Sequence, residues 1–295
     1  MIYTNEYNLP EGMVKALSEE SYLESGRMSI TDLINPPLIR SLKIEKNKEI
    51  IIDITDNLWA LLGHAVHYVL SKVGGETELK VEYLLSEIYS WPDLTVVGKI
   101  DRYSKEGIIE DYKITSVWSF LNGLKDEWAA QLNCYDWLCQ KVGLGRAKGL
   151  RINAILRDWQ VSKTIEKDYP RIPFLSMDVP QWPFEEQDMF VCSKLDHHRL
   201  HSHRECTASE KWQRETTYAV MKTGRKSALR VLENLDAARQ WCYDNSYMKI
   251  ELGTWALVNN IAIVKRPGEY IRCNHYCPVR GVCSYVLKGK NEYRQ

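Results

Sequence analysis

Residues 98–116 read GKIDRYSKEGIIEDYKITS. Two runs of alternating apolar and polar residues flank Ser104-Lys105-Glu106-Gly107, a composition that suits a tight turn, so the segment predicts a β-hairpin. Strand side chains alternate faces, which puts Ile109, Asp111 and Lys113 on one face and Ile108, Glu110, Tyr112 and Ile114 on the other. Folding at the turn brings residues 100–102 opposite 109–111, so Asp101 comes close to Asp111. Two carboxylates on one patch of sheet repel unless a cation sits between them, and hard ions such as Mg²⁺ or Mn²⁺ take such oxygens. The Lys113 ammonium beside them could orient a water or offset charge developing on a phosphate. An isolated Asp-x-Lys is most often a surface ion pair, so the surrounding chain has to decide.

Outward from the hairpin, helical and strand patterns alternate. Ser29-Ile-Thr-Asp32 has the form of a capping box and opens a short helix that Asn35-Pro36-Pro37 stops. Residues 57–73 place Leu58, Leu61, Leu62, Ala65, Val66 and Val69 at helical spacing, and Gly74-Gly75 closes that helix. Strands are expected within 79–91, 94–103 and 107–116, then a helix over 122–143 and a strand over 149–159. Residues 167–184 carry Pro170, Pro173, Pro180 and Pro183 and read as an ordered surface loop. Helical segments are expected over about 185–204 and 208–246. With no repeat, low-complexity run or flexible linker, one elaborated α/β domain is expected over 1–295: an N-terminal helical segment (1–50), a core at about 55–160, and a helical, cysteine-containing segment at 185–295.

Composition limits the function classes. The chain has 295 residues, 44% hydrophobic and 26% charged, with 39 Lys plus Arg against 39 Asp plus Glu. That is the make-up of a globular protein with no global pull on polyanions, so nucleic-acid contact must come from a local patch. No apolar run approaches the roughly 18 residues of a bilayer span, and the N-terminus has no basic start followed by an apolar stretch; a soluble, cytoplasmic protein without membrane partners is expected. All eight cysteines fall at or after Cys134, too sparse for a disulfide scaffold and better suited to thiols or metal ligands.

With these pieces on the page, the sequence resembles the PD-(D/E)xK nuclease superfamily, in particular its RecB-like branch of phage exonucleases and CRISPR-associated nucleases. The resemblance covers roughly residues 29–139. Gly63-His-Ala-Val-His67 matches G-x-x-x-H, Gly98-Lys-Ile-Asp101 matches G-x-x-D, Asp111-Tyr-Lys113 matches (D/E)-x-K, and Gln131-Leu-Asn-Cys-Tyr135 matches Q-x-x-x-Y. It implies a central mixed β-sheet flanked by helices, with helical additions. It also implies His67, Asp101, Asp111 and the backbone carbonyl of Tyr112 as ligands to Mg²⁺ or Mn²⁺, Lys113 assisting the attacking water, and Gln131 and Tyr135 facing the site and the DNA backbone. Two local choices arise. Pro92-Asp93 also precedes the hairpin but reads as a turn, so Asp101 is taken as the first acid, and the motif register selects His67 over His64. Glu110, on the other face, is expected to be structural or solvent-exposed.

Two further clusters could carry chemistry. Cys273, Cys277 and Cys283, with His275 among them, would suit a soft metal. In part of the RecB-like branch three C-terminal cysteines and one N-terminal cysteine hold an iron–sulfur cluster. Here the usual C-x-x-C is C-x-x-x-C and no cysteine precedes Cys134, so a zinc site with His275 and plain thiols stay open beside the cluster. The run KLDHHRLHSHRE (194–205), with Arg199 and Arg204, and KTGRKSALR (222–230) could supply the local positive face for DNA phosphates, or be solvated surface. Trp128, one turn before Gln131, could edge a DNA groove.

The resemblance implies a metal-dependent deoxyribonuclease, an exonuclease of phage DNA metabolism, recombination or repair. Single- or double-stranded DNA would be its partner, a helicase or recombination protein a further one, and the host cytoplasm its location if phage-encoded. The rival readings are a nonhydrolytic DNA-binding or assembly protein that keeps the fold and a sequence-specific endonuclease.

Overall fold

The computed structural model describes residues 1–18, 26–72, 76–86, 89, 91, 93–251, 254–258 and 260–287. The expected stop at Gly74-Gly75, and Pro92 of the rejected Pro92-Asp93 pair, lie outside them. Two compact units emerge, Met1–Glu205 with Gly281–Leu287, and Cys206–Arg280.

In the first unit, β1 (Ile2–Thr4) pairs in parallel with β3 (Ile51–Asp53), and α1 (Glu11–Leu17) follows β1 in the chain. Then β2 (Arg27–Ser29) runs directly into α2 (Ile30–Ile34), capped as expected: the Asp32 backbone N–H donates to Ser29 Oγ at 3.0 Å. Asn35 ends α2, but the prolines do more than stop a helix. Pro37 occupies the first position of α3 (Pro37–Glu45), where its fixed φ and missing N–H cost nothing. Next come α4 (Leu58–Leu70), β4 (Glu76–Leu84), β5 (Thr95–Tyr103), β6 (Ile108–Thr115), α5 (Val117–Leu121), α6 (Asp126–Lys141), β7 (Gly149–Leu156), β8 (Phe174–Val179) and α7 (Phe184–Leu200).

The chain is an α/β protein with a central mixed sheet flanked by helices. The sheet runs β2-β5-β6-β7-β8, with β4 also paired to β5; β2–β5 and β6–β7 are parallel, and β4–β5, β5–β6 and β7–β8 antiparallel. Arg102 opposes Glu110 and Tyr103 opposes Ile109, so the hairpin closes in the register its sequence predicts. Gly107 turns it at φ 85°, the left-handed region glycine enters freely.

Helix α6 lies on this sheet. Its Leu132, Cys134, Trp137 and Leu138 are buried in one core with Val96, Ile100, Ile109, Leu150, Ile152 and Ala154, each large side chain contributing about 1.5–3 kcal/mol. Two fully buried polar residues fix the helix further: Asp136 accepts from the Ala147 N–H and from the Gln181 and Gln187 amides, each at 2.8 Å, and Asn133 accepts from the Trp182 N–H at 2.8 Å. With every such oxygen satisfied, the network stabilises one placement of α6.

One expectation for this unit needs correction. The proline-rich stretch 167–184 is not only a loop, since Phe174–Val179 pairs with β7 as β8. The four prolines flank that strand rather than interrupt it, and half-buried Leu175 and Met177 face the core. Helix α4 forms where the spacing predicts it, with no buried residue and with Leu62 and Val69 exposed.

The second unit is mostly strands, where a helix over 208–246 was expected. It has β9 (Gln213–Arg214), β10 (Thr217–Lys222), β11 (Arg230–Leu232), α8 (Leu235–Asp244), β12 (Met248–Glu251), β13 (Thr254–Leu257), β14 (Ile261–Arg266) and β15 (Glu269–Tyr270). Within 208–246 only residues 235–244 are helical, opened by Asn234, whose side chain accepts from the Ala237 N–H at 2.7 Å; a further helical turn spans Arg272–Tyr276. The strand Thr217–Lys222 holds Thr217, Tyr218 and Val220, β-branched and aromatic residues that pack better on a pleated surface than on a helix. It is central in the order β11-β10-β14.

Candidate metal centre and its surroundings

The hairpin and two helices converge on one cluster of charged side chains. Continuing the register of Arg102 with Glu110 places Asp101 opposite Asp111. Asp101 is held from two sides: Oδ2 accepts the Tyr112 backbone N–H at 2.8 Å, and Oδ1 lies 3.2 Å from His67 Nδ1 on α4. The hydrogen bond to Asp101 raises the pKa of His67, against the lowering effect of burial. His64, the alternative, is exposed. Asp93, also exposed, precedes β5 and lies eight residues before Asp101, which puts it roughly 25 Å away along an extended chain.

Asp111 is 3% exposed. The Lys113 ammonium donates to its Oδ1 at 3.0 Å and stands 2.8 Å from Oδ2, yet Oδ2 accepts no hydrogen bond. Burial pushes the Asp111 carboxyl up to about 6, with the negative charge of Asp101 adding to the rise and Lys113 opposing it. Lys113 also donates to Gln131 Oε1 at 2.8 Å, and Gln131 Nε2 donates to the Tyr135 hydroxyl at 3.1 Å. The i, i+4 pair on α6 thus anchors the ammonium. Burial raises the Tyr135 pKa, which keeps the phenol neutral.

Glycine at 98 is required by this arrangement. A Cβ there would meet Leu138 Cδ2 at 2.8 Å and the Tyr135 ring at 3.1 Å, so the bare backbone lets α6 approach β5 closely. Glu110 lies on the opposite face, 8% exposed, accepting from Arg102 at 3.0 Å and from the Tyr112 hydroxyl at 3.1 Å. Its role is structural, as the alternation predicts.

One residue of the cluster carries no sequence motif. Glu78 on β4 offers a carboxylate oxygen that, with one ligand atom each from His67 and Asp101, lies within 4.8 Å of the others. It is the one group of three or more metal-type ligands this close among the described residues. Glu78 continues the β4–β5 register to a position opposite Asp101, but the ladder skips that pair and Glu78 has φ 55°. A left-handed glutamate inside a strand costs on the order of 1–3 kcal/mol and tends to be kept where function requires it. Its carboxylate pairs with Lys99.

The donor set suits a hard divalent cation. It comprises two carboxylates, one imidazole and, in Asp111 Oδ2, a buried carboxylate oxygen that accepts no hydrogen bond although the Lys113 ammonium stands 2.8 Å away.

The remaining candidate residues stand elsewhere. Cys273 and Cys277 belong to the second unit and Cys283 to the first. Cys277 and Cys283 are buried, Cys273 is half-buried, and His275 is exposed, 3.6 Å from Glu269. Of the histidine run, His198 is buried with a ring nitrogen 3.1 Å from the Leu33 carbonyl, and burial lowers its pKa to about 4. His203 lies 3.1 Å from Glu45. Arg199 is exposed, 4.0 Å from Asp196, and Arg204 is half-buried. The basic stretch 222–230 forms the exposed connection from β10 to β11. Trp128 packs against the main core, its ring under the Lys125 ammonium at 4.6 Å. No helix among the described residues is long and apolar enough to cross a membrane.

Comparison with known proteins gives a likeness of fold. No family model and no curated protein matches. Among solved structures, SSO0001 aligns over 68% of this chain and 89% of its own with a TM-score of 0.50 and 16% identity. A protein described as a "putative exonuclease" from Eubacterium rectale aligns over 66% of this chain and 74% of its own, with a TM-score of 0.31 and 14% identity. At 16% identity the likeness to SSO0001 concerns the fold alone.

Proposed function

We propose that the chain is a Mg²⁺- or Mn²⁺-dependent deoxyribonuclease, an exonuclease of phage DNA metabolism, recombination or repair, with its nuclease core at about 55–160. The observation that carries this reading is Asp111: a buried carboxylate facing Asp101, with the Lys113 ammonium within 3.0 Å of both its oxygens yet hydrogen-bonded to only one of them. A purely structural ion pair would not need the second carboxylate beside it, whose charge opposes ionisation of Asp111.

His67, Asp101, Glu78 and Asp111 would hold the cation, with the Tyr112 carbonyl as a further oxygen. A bound cation would supply Lewis-acid polarisation of the phosphodiester and a nucleophilic water near neutral pH. Lys113, tied to Asp111 and Gln131, presents a fixed positive charge to the attacking water and to charge developing on phosphate. Gln131 and Tyr135 hold that ammonium in one position, so little reorganisation is needed at the moment of reaction. A helicase or recombination protein working in the cytoplasm would be the matching partner.

The test is incubation of the full chain with end-labelled linear and circular DNA, single- and double-stranded, with Mg²⁺, Mn²⁺ or EDTA. Stepwise loss of label from linear DNA, abolished by EDTA, is the expected result. Cutting of circles would overturn the exonuclease assignment, and metal-independent binding without cleavage would leave a nonhydrolytic DNA-binding protein.

A further inference from the structure

Helix α4 carries a row of residues that leads from the candidate metal centre to an exposed tryptophan. Trp59, Gly63 and His67 are spaced i, i+4 and i+8, so they form one stripe about 12 Å long. At one end is His67 of the candidate metal centre. In the middle, Gly63 leaves open space: a Cβ there would meet no atom within 4 Å. At the other end the Trp59 side chain is 62% exposed.

The far end of this stripe is basic as well as aromatic. The Arg157 guanidinium stacks over the Trp59 ring, 4.4 Å from its centroid. Arg157 follows β7, and its backbone N–H donates to the Thr115 carbonyl at 3.0 Å, two residues beyond Lys113. Lys125 is close enough to feel the positive charges of both Lys113 and Arg157. Among the described residues neither Arg157 nor Lys125 has a carboxylate partner within 4.0 Å. Glu127 partly offsets Lys125, so the cation set against the exposed Trp59 indole is Arg157. Stacked aromatics with interleaved cations are the features that hold unpaired nucleotides, because every base has a π-face and every linkage a phosphate.

We propose that the Trp59–Gly63–His67 stripe is a track for the strand next to the scissile bond: an unpaired base stacks on the Trp59 ring, the backbone crosses Gly63, and Arg157 and Lys125 face its phosphates. This deepens the nuclease reading and rests on it for the polarity of the track, from stacking platform to metal centre. Arg157 already covers part of one ring face, so the base completes an Arg–Trp–base sandwich. The glycine acts through its missing side chain, since any larger residue would raise the floor between the two ends.

The experiment uses single-stranded 12-mers carrying 2-aminopurine at successive positions, bound to the full chain in EDTA, with KM and kcat measured separately in Mg²⁺ or Mn²⁺. Wild-type protein should quench 2-aminopurine most at one position. Trp59→Ala should abolish that quench and raise KM by roughly 5- to 100-fold, the range of one lost stack, with kcat at saturation changed far less. Trp59→Phe should keep part of the quench. Gly63→Leu, which fills open space, should leave Mn²⁺ affinity and the thermal transition unchanged and weaken oligonucleotide binding at least tenfold. Unchanged quench and KM in Trp59→Ala, or wild-type binding by Gly63→Leu, would overturn the track while leaving cleavage intact. Position-dependent quench lost in Trp59→Ala, in a protein that cuts no DNA, would keep the track and remove the nuclease reading.

Discussion

Replacing Asp111 with Asn should make the metal-free protein more stable, not less. Burial raises the Asp111 carboxyl from its ordinary 3.8 to about 6, with the Lys113 pair already opposing the rise. Because the folded value lies above the unfolded one, the group favours folding most below about pH 4, and that contribution is lost as pH rises through 6. A rise of roughly two pH units corresponds to about 3 kcal/mol at pH 8, at 1.36 kcal/mol per unit. Asn resembles the protonated acid in shape and keeps an oxygen for the Lys113 ammonium that now donates to Oδ1. Unfolding followed in EDTA should therefore show Asp111→Asn above wild type at pH 8 by about 3 kcal/mol, on the order of 5 °C in Tm, with the two converging near pH 4. Mn²⁺ should reverse the order. Saturation to about 1,000 times Kd adds roughly 4.1 kcal/mol to the protein that binds it, more than the roughly 3 kcal/mol gap, and the variant has lost a full ligand charge. A variant less stable than wild type at pH 8 in EDTA would refute the reasoning, because Asp111 would then be the anion of an ordinary stabilising ion pair.

Three further predictions concern neighbouring groups. Lys113→Ala removes no ligand, so Mn²⁺ titration should still show binding while turnover falls by orders of magnitude; parallel loss of both would make the lysine a scaffold for Asp111. Glu78→Gln should weaken Mn²⁺ binding at least tenfold by calorimetry, and unchanged affinity would return Glu78 to being only a partner of Lys99. Gly98→Ala should cost about 1–3 kcal/mol by denaturant unfolding, since its methyl would sit 2.8 Å from Leu138 Cδ2.

What the sequence made legible follows from where physical constraint is local. The hairpin register is written in the alternation of 108–114 and the Ser104–Gly107 turn, and α2 in the Ser29 cap, because both depend on neighbours within a few residues. The pairing of Phe174–Val179 with β7 is non-local, and four flanking prolines masked it. The second unit misled for the opposite reason: charged residues at near-helical spacing between 208 and 246 conceal a strand that only its partners at 230–232 and 261–266 stabilise. Likewise α4 keeps helical periodicity while burying none of its apolar residues, so periodicity located the helix but not its environment.

The site divides along the same line. Asp101, Asp111, Lys113, Gln131 and Tyr135 lie at fixed offsets on one hairpin and one helix, and the structure brings them together with His67 through short, specific contacts. Glu78 had no such offset. Its carboxylate reaches the cluster only because β4 pairs with β5 and because its backbone leaves the β region at φ 55° where the ladder opposite Asp101 is broken. That departure is what a motif cannot encode: a residue type unsuited to the conformation, held there by eight flanking pairs between the two strands. If the strand were optimised for stability alone, glycine or asparagine would serve better at that φ. The glutamate keeps its strain beside two other anion-or-imidazole donors, in a position where the gain from strain relief would be set against the loss of a ligand. The backbone outlier therefore belongs with the buried Asp111 carboxylate as the second structural mark of a cation site, and it is the mark that points to β4 as the third wall of that site.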